Sequence, residues 1–165
     1  MTSTPTCDER VDEHLAGRLA DLRSLFYLID LADDEPTAGD LGTDTDGREV
    51  YEWWTRDKHA TVDDLREQAQ ERLDELPLGA DMPDWDGPPC VRVQLSTGGP
   101  GDEFLLYLNS TGQVYSVEYR YLDWWDSASR IVTGDDRELI ERAWGELADS
   151  VQEQHRAENP SDYYR

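Results

Sequence analysis

Apolar residues recur at Val11, Leu15, Leu19, Leu22, Phe26 and Ile29, in steps of three and four that define one face of a helix. Leu25, Leu28 and Leu31 widen that face, so burial of the second half on more than one side is expected. Thr6 with Glu9 has the spacing of a capping box, and the helix is expected to fail before Pro36. A second helical stripe runs through Val62, Leu65, Ala69, Leu73 and Leu76. Thr61 and Asp64 resemble its N-terminal cap, and Pro77 followed by Gly79 stops it. Between the two, residues 32–47 are rich in Asp, Thr and Gly without an apolar period, which reads as a loop. Val50, Tyr51, Trp53 and Trp54 follow and must pack as a short strand or a helical turn.

Residues 77–89, with their prolines, read as another loop, and beyond them the period becomes extended. Val91, Val93 and Leu95 alternate with Arg92 and Gln94, and Phe104 to Leu108 is a continuous apolar run suited to a central strand. Asn109 to Gly112 is a hairpin turn signal. In the next strand Tyr115, Val117, Tyr119 and Tyr121 fall on one face, opposite Ser116, Glu118 and Arg120. If the alternation continues, Asp123 and Trp125 join the tyrosines while Leu122 and Trp124 point the other way. One tryptophan is then expected in the core, its neighbour exposed or under another layer. Arg130 to Thr133 suits a short fourth strand. Thr133 and Asp136 suit the cap of a last helix with Leu139, Ile140, Ala143, Trp144, Leu147 and Val151 on its apolar face. The order predicts an α+β fold: a three- to four-stranded antiparallel meander packed with about three helices on one face. A single domain is expected over residues 1–165, with flexible ends at 1–6 and 159–165.

Composition changes this picture in one respect. Apolar residues make up only 37%, but six Trp and eight Tyr can still bury a large area. The net charge is −23, and Lys58 is the single lysine among 15 basic residues. Such a surface repels nucleic acid and anionic membranes and attracts basic partners. Two origins fit it: hydration of the protein in a high-salt cytoplasm, or carboxylates that imitate a phosphate backbone. Cys7 and Cys90 form no metal or redox spacing. The first residues lack an apolar signal core, and no stretch approaches the roughly 20 apolar residues of a membrane span, so a cytoplasmic location is expected.

The chemistry-bearing motifs are weak. Ser96 to Gly101 (STGGPG) has the glycines of a phosphate loop but no following Lys, and a strand rather than a helix comes next, so it reads as a hairpin turn. Neither Asp44 to Gly47 nor Asp84 to Gly87 meets the ligand spacing of a calcium loop. His14, His59 and His155 are isolated. No catalytic, cofactor-binding or metal-binding residue is expected. The aromatics Tyr119, Tyr121, Trp124 and Trp125 suit a core, a protein-binding hot spot or a base-stacking platform, the last opposed by the charge.

The stretch Val91 to Trp125 resembles a loose group of proteins from phages, plasmids and integrated elements of bacteria and archaea. They share a strand ending in S-T-G-G-P, here Ser96 to Pro100, and another ending in aromatic-x-D-W, here Tyr121 to Trp124. The likeness extends over about residues 48–132 and includes Tyr51 and the helix from Thr61 to Leu76. It implies a setting, that of an accessory protein of a mobile element, rather than an activity. Such proteins often block host defence nucleases through an acidic surface. The partner-binding candidates are therefore Asp63, Asp64, Glu67, Glu71, Asp74 and Glu75 on the middle helix, and Asp123, Trp124, Trp125 and Asp126 at the end of the meander. Glu138, Glu141, Glu146 and Glu153 form a further acidic row, and Arg66, Arg72, Arg137 and Arg142 interrupt both helical rows. The expected function is non-enzymatic: binding and inhibiting a host nucleic-acid-processing complex as an anti-defence protein, with DNA mimicry as its candidate means. The alternative is a halophilic interaction domain working through its Trp/Tyr patch, and the third reading is an enzyme of unknown class.

Overall fold

The structure is a computed structural model, and it describes residues 6–31 and 61–160. The chain divides into two compact units. One takes in the chain up to Leu19 and from Pro77 onward; the other lies between Ala20 and Leu76. Helix α1, Cys7–Ile29, contributes its first turns to the former and its remainder to the latter.

The first unit is built on a five-stranded antiparallel sheet in the order β1-β2-β3-β4-β5. The strands are β1 Gly79–Asp81, β2 Cys90–Ser96, β3 Gly101–Leu108, β4 Val114–Asp123 and β5 Asp126–Val132. The sheet is thus wider than the three or four strands that the sequence pattern predicts. The additional strand, β1, falls in the stretch expected to be a loop. Three residues are too few to show a period, and pairing with β2 sets them instead, with Arg92 gripping the Asp81 carboxylate through two bonds of 2.8 and 2.6 Å. The last strand begins well before Arg130, because Ser127 and Ser129 on an edge strand carry no apolar signal.

Residues opposite one another across the ladder share a face. Val93, Phe104 and Tyr119 are so aligned. Phe104 meets Trp144 of the last helix at a ring separation of 5.4 Å, and Tyr119 at 5.0 Å. On the same face His14 of α1 stacks on Tyr121 at 4.2 Å. The first turns of α1 and the last helix, α3 (Gly134–Glu158), therefore cover one side of the sheet; the middle helix, expected on the same face, belongs to the second unit. The opposite side carries ion pairs, among them Glu103 with Arg120, and Arg120 lies over the Trp85 ring at 5.9 Å.

Val117, Tyr119 and Tyr121 are buried as the alternation predicts, but Tyr115 is exposed. The register slips between Tyr107 and Leu108, so Val114 rather than Tyr115 stands across from Leu108, and Tyr115 leaves the covered face. Thr133 stands at the N-cap of α3 without the expected side-chain bond; Gly134, at φ 61°, makes the entry. Gln152 is buried on α3 and donates to the Gly112 carbonyl at 3.1 Å, which ties that helix to the β3–β4 turn.

In the second unit, Leu22, Leu25, Phe26, Leu28 and Leu31 are buried along and just beyond α1. Helix α2, Val62–Glu75, opens on the expected capping box: Thr61 N–H donates to Asp64 at 2.7 Å, and Asp64 N–H to the Thr61 hydroxyl at 3.2 Å. Leu65, Ala69 and Leu73 are its buried stripe. Arg66 donates to the carbonyl of Leu31. Val50, Tyr51, Trp53 and Trp54 and the acidic loop before them lie outside the described residues.

Candidate interaction site

Strands β4 and β5 are joined by two residues, Trp124 and Trp125, between the paired Asp123 and Asp126. A two-residue hairpin turn requires a positive φ at its first central residue, a position usually held by Gly, Asn or Asp. Trp124 adopts it at φ 48°. Both rings stand in solvent, Trp124 80% and Trp125 98% exposed. This corrects the expectation that one of them is core. Strand alternation ends at Asp123, and a reversal of the chain, rather than a continuing pleat, decides where the two side chains go.

The tip is firmly mounted. A Cβ on Gly99 would collide with the Trp124 indole, so that ring rests against the STGGPG turn between β2 and β3. That turn reads as the sequence predicts, with Gly98 at φ 109° and a cis bond between Gly99 and Pro100. The two aspartates flanking the tryptophans both bond to α1, Asp123 partly buried and Asp126 exposed. Asp123 accepts from Arg10 at 2.5 Å, and Asp126 accepts from the backbone N–H of Cys7 at 2.6 Å. That backbone bond is the main reason the Asp126 carboxyl is held below its usual range.

These contacts belong to a polar seam along α1. Cys7, Arg10, His14 and Arg18 recur at steps of three and four, and meet Asp126, Asp123, Tyr121 and Asp102 in turn. Arg18 grips Asp102 through two bonds of 2.7 and 2.9 Å. Asp102 is 4% exposed and also accepts from the Tyr119 hydroxyl at 2.9 Å and from Ser96. Burial disfavours its charge, but the bonds from Arg18 and Ser96, the Arg18 charge and Tyr119 outweigh it and keep the carboxyl below the usual range. The sequence signal for this seam is a polar stripe beside the apolar one, and a search for apolar periods passes over it.

The α2 candidates divide into two groups. Asp64 is spent on the cap, Asp63 pairs with Arg66 at 3.0 Å, and Asp74 accepts from Gln70 at 2.9 Å. Glu67, Glu71 and Glu75 are exposed, and no hydrogen bond or ion pair engages them among the described residues. They recur every fourth residue, roughly 6 Å apart along one line of the helix. In α3, Glu138, Glu146 and Glu153 are exposed, while Glu141 is half-buried and pairs with Arg137 at 2.5 Å.

A cleft of about 460 Å³ is lined by Met82, Trp85, Cys90, His155 and Asn159, among others, and by no residue of the Ser96–Gly101 turn. Burial, with help from the Glu103 carboxylate, pushes the Cys90 thiol up to about 11. It is therefore held as an unreactive thiol near neutral pH. Burial also raises the phenols of Tyr107 and Tyr119 well above their ordinary range. Among the described residues no group of three His, Cys, Asp or Glu side chains is arranged to hold a metal ion, and no helix is long and apolar enough to cross a membrane. No protein-family model, curated protein or solved structure matches this chain.

Proposed function

We propose that this chain is a non-enzymatic accessory protein of a mobile element that acts by binding a host protein with a basic, nucleic-acid-binding surface, thereby inhibiting a defence complex. The observation that carries this reading is how the charges are spent. Arg10, Arg18, Arg66, Arg92, Arg120, Arg130 and Arg137 are each ion-paired within the chain, whereas the Glu67–Glu71–Glu75 line is left to solvent. Glu67, Glu71 and Glu75 outnumber the exposed Arg72 on that helix, so an approaching partner meets net negative charge, which favours a basic surface and disfavours nucleic acid. The test is capture from host lysate at the salt of the source cell, with duplex DNA and RNA as competitors. Basic nucleic-acid-binding proteins released by the competitors are expected. Failure to retain any, or retention indifferent to both competitors, overturns the proposal.

A second reading has its own support. Exposed carboxylates occur on α1 (Asp8, Glu9, Glu13), on α2 and on α3, rather than along one helix alone. That spread suits salt adaptation as the source of most of the charge, with the specific contact left to the tryptophans. Binding that persists in concentrated salt and is indifferent to the nucleic-acid competitors supports this second reading, because screening there removes long-range attraction.

A further inference from the structure

We propose that the β4–β5 hairpin tip, Trp124 and Trp125, is the partner-contacting element, and that it takes arginine or lysine side chains of a basic protein surface against its indole faces. The inference rests on the reading that the partner is basic and specifies where it is held. Three independent observations converge on the tip. Two adjacent indoles are 80% and 98% exposed in a chain whose remaining described tryptophans, Trp85 and Trp144, are 37% and 3% exposed. Trp124 occupies φ 48°, a position where glycine would be unstrained, so the ring is kept there against the local preference of the backbone. The tip is also preorganised: Gly99 backs Trp124, while Asp123 and Asp126 are held by Arg10 and the N-terminus of α1. Trp124, seated on Gly99 at a turn whose base is bonded to α1, loses little freedom on binding, and Trp is enriched in binding hot spots.

Charge selects the occupant. The first turns of α1, joined to the tip through Cys7 and Asp126, carry Asp8, Glu9 and Asp12; with Asp123 and Asp126 these carboxylates outnumber Arg10, paired with Asp123, and Arg130, paired with Asp8 and Asp12. The indoles thus stand in a negative setting that draws in cations, and a guanidinium or ammonium over an indole face is stabilised by the ring quadrupole. A second copy of the chain, also at −23, is repelled, and so is nucleic acid.

The experiment titrates the full chain with an arginine-rich peptide of ten residues or so at about 1 M salt, where the Debye length is about 3 Å and short-range contacts dominate. Binding is read by anisotropy of the labelled peptide, with Trp125→Ala, Trp124→Gly and a Glu67→Gln/Glu71→Gln/Glu75→Gln variant beside the parent, all checked for fold by circular dichroism. Either tryptophan substitution is expected to weaken binding about tenfold, while the triple glutamine variant keeps its dependence on the indoles. If the parent binds and both tryptophan variants bind equally well, the tip is not the contact, and the basic-partner reading stands without it. If the parent fails to bind the peptide even at low salt, the basic-partner reading falls and the tip proposal with it. Tryptophan-dependent self-association in sedimentation, or tryptophan-dependent binding of single-stranded DNA with no effect on the peptide, also overturns it.

Discussion

The carboxylate of Asp126, at the start of the last strand, accepts the backbone N–H of Cys7, the first residue of α1, at 2.6 Å across 119 positions of sequence. A negative charge there satisfies an otherwise unpaired amide and lies at the favourable end of the helix dipole. The folded pKa of Asp126 is lowered, so its contribution is present above the unfolded value of about 3.9 and disappears as pH falls through the folded value. Asp126→Asn is expected to lower Tm near neutral pH, with the gap to the parent closing on acidification. A gap that does not change with pH would show that the carboxylate charge plays no part.

Asp102 is the buried anchor of the same seam. Breaking a buried, hydrogen-bonded ion pair from one side costs about 3–5 kcal/mol. Arg18 keeps 30% of its side chain in water, so Asp102→Asn is expected near the lower end, about 3 kcal/mol. Tyr119→Phe, which removes one of several donors, is expected to cost about 1 kcal/mol. Urea unfolding measures both. A smaller loss for Asp102→Asn than for Tyr119→Phe contradicts the assignment of Asp102 as the hub.

Glu103, the neighbouring residue, points to the opposite face of the sheet and behaves in the opposite sense. Burial raises its carboxyl pKa, against the pull of Arg120 and Arg92. A raised folded value means that the ionised carboxylate costs stability above that value, and the cost vanishes below the unfolded value of about 4.3. Glu103→Gln is therefore expected to compare more favourably with the parent at about pH 8 than at about pH 4. Urea midpoints at the two pH values decide it, and the reverse order refutes the shift.

Cys7 and Cys90 are both free and buried. Burial raises both thiols, Cys90 to about 11. Neither is expected to react with a disulfide reagent at about pH 8 in the folded protein, and both are expected to react in denaturant. Rapid labelling of Cys90 in the native state would show that the cleft beside Trp85 exposes its sulfur.

What was legible in the sequence followed from periodic burial and local capping. The stripes from Leu19 to Phe26 and from Leu65 to Leu73, the Thr61–Asp64 box and the Val117–Tyr119–Tyr121 alternation all record one-dimensional spacing, and all appear in the structure. What was not legible depends on residues far apart in the chain. β1 is set by its pairing with β2, where Asp81 meets Arg92, and the bonds of Asp123 and Asp126 to α1 require Arg10 and Cys7. The two aspartates of the LDWWD stretch were partner-binding candidates in the sequence; in the structure they bond the hairpin to α1, and the tryptophans stand at its end.

The backbone at Trp124 gives a prediction whose sign differs from the usual one. In a strand or helix, glycine is less favourable than alanine by roughly 0.5–1 kcal/mol, because it has more freedom to lose. At φ 48° an L side chain pays about 1–2 kcal/mol that glycine does not. Both substitutions remove the same indole contact with Gly99, so that loss cancels between them. Trp124→Gly is therefore expected to be more stable than Trp124→Ala, by up to about 1 kcal/mol. Urea midpoints of the two variants measure the difference directly. If the alanine variant is the more stable, the turn relaxes out of the left-handed region once the ring is gone, and the strain belongs to the indole's seat on Gly99 rather than to the two-residue reversal.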